Sequence, residues 1–131
     1  MAEIKPVEAV ITKKGRNKML KARAGDTALP KIVGMAFGDG GVTSDGTVIA
    51  PSIEQTELNN ELLRKEIERH EYLSDTVCRY FCTLEEGELP KKKISELALY
   101  DADGDLVSIK NFGSKEKDSD LAMEFQISDT F

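Results

Sequence analysis

The alternation in the second half of the chain constrains the fold more than any other feature. Thr76-Val77-Cys78-Arg79-Tyr80-Phe81-Cys82-Thr83-Leu84 is dense in β-branched and aromatic residues and stops at Glu85-Glu86-Gly87. That composition, bounded by turn residues, predicts a strand with Cys78, Tyr80 and Cys82 on one side. Ile94 to Tyr100 and Leu106 to Lys110 flank Asp101-Ala102-Asp103-Gly104-Asp105. An Asp-Gly turn between two such runs predicts a β-hairpin. A last strand is expected from Leu121 to Ile127, with Leu121, Met123, Phe125 and Ile127 inward against Ala122, Glu124 and Gln126.

The first half mixes periods. Thr12 can cap a helix from Lys13 onward, and Ile11, Gly15, Met19 and Ala22 recur at spacings of three and four before Ala24-Gly25-Asp26 ends it. The other face carries Lys13, Lys14, Arg16, Lys18, Lys21 and Arg23, a third of all basic residues. Such a run is either a solvated face or a surface for docking onto an acidic partner. After Pro30, the apolar stretch Lys31 to Phe37 reads as a buried strand, and Gly38-Asp39-Gly40-Gly41 through Gly46 reads as a loop. No Gly-Lys-Ser/Thr or GxGxxG pattern accompanies these glycines, so a flexible turn accounts for them better than phosphate binding. Pro51-Ser52 and Gln55 have the form of a capping box, and Leu58, Leu62 and Leu63 extend it at helical spacing, so a second short helix is expected there. The charged stretch from Arg64 to Tyr72 fits either a longer exposed helix or a polar edge strand by periodicity, and a strand beginning near Arg64 is the expectation. His70 within it has no neighbouring nucleophile and is expected to be solvated.

With 131 residues the chain is expected to form one domain, 1–131, of α+β class. One or two short helices should pack on a mainly antiparallel sheet, sandwich-like or meandering. Eighteen basic and twenty-four acidic side chains leave a charge of −6, which repels phosphate backbones and anionic lipid, so neither nucleic acid nor membrane is an expected partner. The N-terminus lacks a basic start followed by a long apolar run, and synthesis in the cytoplasm is expected. Cys78 and Cys82 lie about 13 Å apart on a strand, too far to bridge, and are expected as reduced, space-filling thiols. Two cysteines and one histidine do not supply the four ligands of a closed zinc site. Asp101, Asp103 and Asp105 alternate as calcium-loop ligands do, but Leu106 and Phe112 stand where that loop needs Gly and Glu. A plain hairpin turn explains them better. No catalytic pairing emerges, and the expectation is a non-enzyme with no catalytic residues, no cofactor and no metal.

A helix opening with Thr-Lys-Lys-Gly, a strand ending in Phe-Gly-Asp-Gly-Gly, Leu58 through Arg64, and the Leu99-Tyr-Asp-Ala-Asp-Gly-Asp-Leu-Val hairpin occur in that order over most of residues 8–129. Together they resemble the phage tail-collar fibre family, the N-terminal domain of many side-tail fibres. The resemblance implies a virion structural protein that anchors or adapts a fibre to the baseplate. Its implied partners are tail baseplate or fibre proteins, with a homotrimer as an implied assembly, and its location is the host cytoplasm during assembly and then the virion tail. Because the shaft and tip of a fibre are missing after the resembling region, the chain is expected to be a truncated prophage product, an adaptor or a small baseplate-associated protein. The alternative is an independent protein-binding module, calcium-responsive through the three aspartates. The residues expected to contact a partner are Lys13, Lys14, Arg16, Lys18, Lys21 and Arg23 on the helix, with Gly38, Asp39 and Gly40 in the loop.

Overall fold

The computed structural model describes residues 9–131. In chain order it contains β1 (Val10–Ile11), α1 (Lys13–Arg23), β2 (Ile32–Gly38), β3 (Glu61–Glu66), β4 (Arg69–Ser74), β5 (Val77–Leu84), β6 (Lys93–Asp101), β7 (Leu106–Glu116) and β8 (Met123–Thr130). Two antiparallel sheets result, one ordered β1-β7-β6-β2-β3 and the other β4-β5-β8. The fold is α+β, one short helix on a sheet-dominated sandwich, as the alternation implies.

The apolar runs occupy the middle of this arrangement. β2 lies between β6 and β3 and is buried from Gly34 to Gly38. Met35 and Phe37 join Cys82, Leu84, Leu97, Leu99, Phe125 and Ile127 in the principal core, where Phe37 and Phe125 meet edge to face at 5.3 Å. Ala36 and Ala98 face the other way, into a smaller cluster closed by Leu58, Leu106 and Ile109. The segment between β2 and β3 lies over that second face. It is fastened there by Gly41 N donating to Ser95 Oγ at 2.9 Å and Asn111 Nδ2 donating to Ile49 O at 2.8 Å.

Three sequence expectations are corrected. Residues 51–63 form no second helix, although the capping-box contact itself is made, Ser52 N donating to Gln55 Oε1 at 2.9 Å. Tertiary contacts override the helical spacing: Leu58 is buried against the sheet, and from Glu61 onward the chain pairs with β2. The single polar strand expected from Arg64 to Tyr72 is two strands in different sheets. Adjacent amides mark the crossing, with Ile67 N donating to Val33 O and Glu68 N to Phe81 O, both at 3.0 Å. In the last strand Phe125 and Ile127 are buried as expected, but Leu121 stands before β8 and is 58% exposed.

Candidate functional site

The expected helix is formed and Thr12 does more than cap it. Its Oγ accepts from Gly15 N at 3.0 Å and donates to Leu106 O at 2.8 Å, while its own amide donates to Val107 O at 3.0 Å. One residue therefore ends the strand β1, starts α1 and ties both to β7. Gly15 allows the approach, since a Cβ there would lie 2.9 Å from Val107 O. Gly15 is the only fully buried residue of the helix, so polar tethers rather than a broad apolar face hold α1 in place.

The six helix cations divide into two groups. Lys18 Nζ enters the acidic turn, at 2.6 Å from Asp101, 2.8 Å from Asp105 and 3.1 Å from Asp103. Lys14 reaches Asp105 at 3.1 Å, and Lys13 lies 3.6 Å from Glu54. Burial opposes the charge on Lys18, but its hydrogen bonds to Asp101, Asp105 and Asp103 outweigh this and raise its pKa above the ordinary lysine value. In return, hydrogen bonds from Lys18 and then Lys14 hold the Asp105 carboxyl below its usual range. The three aspartates do converge, their oxygens lying within 4.8 Å of one another. The place a calcium ion would take is filled by the Lys18 ammonium, so the chain supplies its own cation. Asp101 Oδ1 also accepts the amides of Asp103 and Asp105, at 3.0 and 3.1 Å. By contrast, Arg16, Lys21 and Arg23 have no carboxylate within 4 Å among the described residues.

The glycine loop is a fastened structure rather than a free flap. Glu96, fully buried beside an irregularity in β6, accepts from Gly40 N at 3.1 Å, Asn60 N at 2.7 Å and Asn59 N at 2.9 Å. Asp39 accepts from Asn60 Nδ2 at 2.6 Å, and Asn59 Nδ2 donates to Gly40 O at 2.9 Å. Gly38 is buried at the end of β2, where a Cβ would meet Glu96 and Asn60. Glu96 thus joins the segment after β2 to the segment before β3. Sequence reasoning missed it, and the available signal was an acid within the otherwise apolar run from Ile94 to Tyr100.

A groove of about 480 Å³ opens between α1 and the three-stranded sheet, also unforeseen. Met19 lines it from the helix, Leu29 and Ile32 from the approach to β2, and Tyr72, Tyr80 and Phe131 from the opposite side. Burial on its β8 wall raises the pKa of the Asp129 carboxyl. His70 is exposed, as expected, and stands edge-on to Tyr72 with ring centres 5.5 Å apart. Both cysteines are free, and burial pushes the Cys82 thiol up to about 11. The arrangement is a set of fastened loops and one apolar recess beside a basic helix, a geometry suited to holding another protein.

The family model described as phage tail-collar fibre protein, N-terminal, matches residues 5–128. The chain belongs to that family. No curated protein and no solved structure matches it. Membership makes the protein a structural component of a phage tail and gives the fastened helix and loops a place within a tail-fibre domain. The four landmarks that carried the resemblance all fall inside the matched region. Among the described residues, no helix is long and apolar enough to cross a membrane.

Proposed function

We propose that residues 1–131 act as one collar-type unit that anchors or adapts a tail fibre to the baseplate. Its partners are then baseplate or fibre proteins, and it assembles in the host cytoplasm, as a homotrimer, before joining the virion tail. The family match over residues 5–128 carries this reading. The distribution of contacts supports it further, because Lys18 and the Gly38–Gly40 segment rigidify the surface while Arg16, Lys21 and Arg23 meet no carboxylate among the described residues. Lys13 and Lys14 contribute at the margin of that surface. An anchor needs a rigid scaffold presenting complementary groups rather than a pocket of paired acids and bases.

Immunogold electron microscopy on particles from the source strain, with antibody raised against this chain, tests the proposal. Label at the distal end of tails is the expected result. Plentiful intact tails that stay unlabelled, in a lysate where the antibody detects the protein, would refute it.

A further inference from the structure

The groove runs along the helix that carries Arg16 and Arg23, the former donating its Nε to Ile11 O at 3.3 Å. Gly15, Lys18 and Met19 form the helix wall of the groove, and at 3.6 residues per turn Arg23 and Arg16 lie about 40° and 60° beyond Met19, on the side away from Lys18 and so at the outer margin of the groove. Lys31 lines the groove itself and, like Arg16 and Arg23, has no carboxylate within 4 Å among the described residues. Leu29, Tyr72 and Phe131 line the recess yet remain 55%, 78% and 62% exposed. Large apolar side chains left in water around a concavity mark an interaction site, unlike single exposed leucines scattered over a surface.

From this juxtaposition we infer that the groove between α1 and the three-stranded sheet receives an acidic segment of the tail protein to which this domain attaches, apolar side chains inserted and carboxylates directed at Arg16, Arg23 and Lys31. The inference rests on the tail-anchor reading and gives its partner a chemistry. Charge selects the occupant. Residues 13–23 contain six cations and no acid, whereas the rest of the chain, with the remaining twelve basic and all twenty-four acidic side chains, carries −12. Asp129 on the β8 wall offers no cation to a carboxylate, and Asp101, which also lines the groove, is already engaged by Lys18. Lys18 takes no part, because its ammonium is already engaged by three aspartates.

The test compares tail occupancy, measured by quantitative immunoblot of purified particles, for the full chain supplied to a phage deleted for its gene. Four forms are compared: wild type, Arg16→Glu with Arg23→Glu, Leu29→Asp with Tyr72→Asp, and, as control, Lys92→Glu just before β6, at the end of that strand away from Asp101. All substituted residues are exposed, and urea midpoints matching wild type verify folding. Wild type and the control are expected on tails, and each double variant at roughly one-tenth of that level or less, a loss typical of removing central interface contacts. Wild-type occupancy by either double variant overturns the inference while leaving the anchor reading intact. Absence of the wild-type chain from tails overturns the anchor reading itself. Self-association of the purified wild-type chain in sedimentation, lost on charge reversal, would assign the groove to a second copy and equally overturn the inference.

Discussion

Replacing Lys18 with Met removes the cation shared by three carboxylates while leaving a side chain of similar length to lie along the sheet. Each ion pair, at 2.6–3.1 Å, is worth several kcal/mol in gross attraction, most of which the desolvation of the ions offsets. What remains after the substitution decides the cost. Asp101 has a side chain 1% exposed and cannot turn to water, though it keeps the amides of Asp103 and Asp105. Asp103, at 60%, and Asp105, at 29%, can partly resolvate. Breaking a fully buried pair costs about 3–5 kcal/mol, so Lys18→Met should cost about 3 kcal/mol at pH 7. The midpoint of urea unfolding, followed by far-ultraviolet circular dichroism, should fall by roughly 1.5–2 M. The pH dependence is more discriminating because its sign changes. In the wild type, the depressed Asp105 pKa contributes stability above its ordinary value of 3.8, which is lost as pH falls through the lower folded value. In the variant the crowded carboxylates repel one another and bind a proton more readily folded than unfolded, so stability should rise as pH falls from about 6 to about 4. A variant within 0.5 kcal/mol of wild type at pH 7, or one whose stability runs parallel to wild type down to pH 4, would refute the role assigned to Lys18; the 0.5 kcal/mol threshold is about the size of an ordinary surface substitution.

Three further outcomes follow from the same contacts. Glu96→Gln substitutes a donor for one oxygen facing three backbone amides, and should cost about 2 kcal/mol, or roughly 8 °C in Tm by calorimetry; an unchanged Tm would show that the two loops do not depend on it. Gly41→Ala would drive its Cβ into the Ser95 carbonyl, which is backbone of a central strand and cannot swing aside, so the variant should lose about 3 kcal/mol or more in urea unfolding. Cys82 is buried, donates to Glu66 O and has its pKa pushed up to about 11, so a thiol reagent at pH 8 should modify Cys78 first and reach Cys82 only at the rate of unfolding. Equal labelling rates under native conditions would contradict that burial.

The features legible in the sequence are those written in neighbouring residues. Thr12 with its following turn and the Asp101–Asp105 hairpin depend on contacts a few residues apart and form in the expected place, while the alternation of β5 and β8 is written in neighbouring residues but β8 begins at Met123, two residues later than expected. The Ser52–Gln55 box shows the limit of local reasoning: the hydrogen bond is made, but the helix it would start is not. Leu58, Leu62 and Leu63 fit a helical stripe by spacing alone. In the structure Leu58 packs into one cluster while Leu62 and Leu63 pack against the other, a division set by strand pairing. The candidate site was less legible, since its decisive contacts are distant in the chain. Lys18 meets Asp101 across 83 residues, and Glu96 meets Gly40 across 56. The six helix cations are equivalent in the sequence, and only the fold places the acidic turn beside Lys14 and Lys18 and Glu54 beside Lys13.

That division has a consequence for how the helix could serve an attachment site. With Gly15 alone fully buried, α1 gains little from apolar burial, and its position on β7 depends on Thr12, the Gly15 approach and Lys18. Arg16, Leu20 and Arg23 lie on the same rigid cylinder as Lys18, so a partner that reads them also reads the alignment set by the tether. Loss of the Lys18 contacts should therefore weaken docking even though the Lys18 ammonium is already engaged by aspartates, because a loosely held helix must be ordered on binding and that ordering opposes association. The effects of Lys18→Met and of reversing Arg16 and Arg23 then differ in kind. The first should lower both stability and attachment, and the second attachment alone.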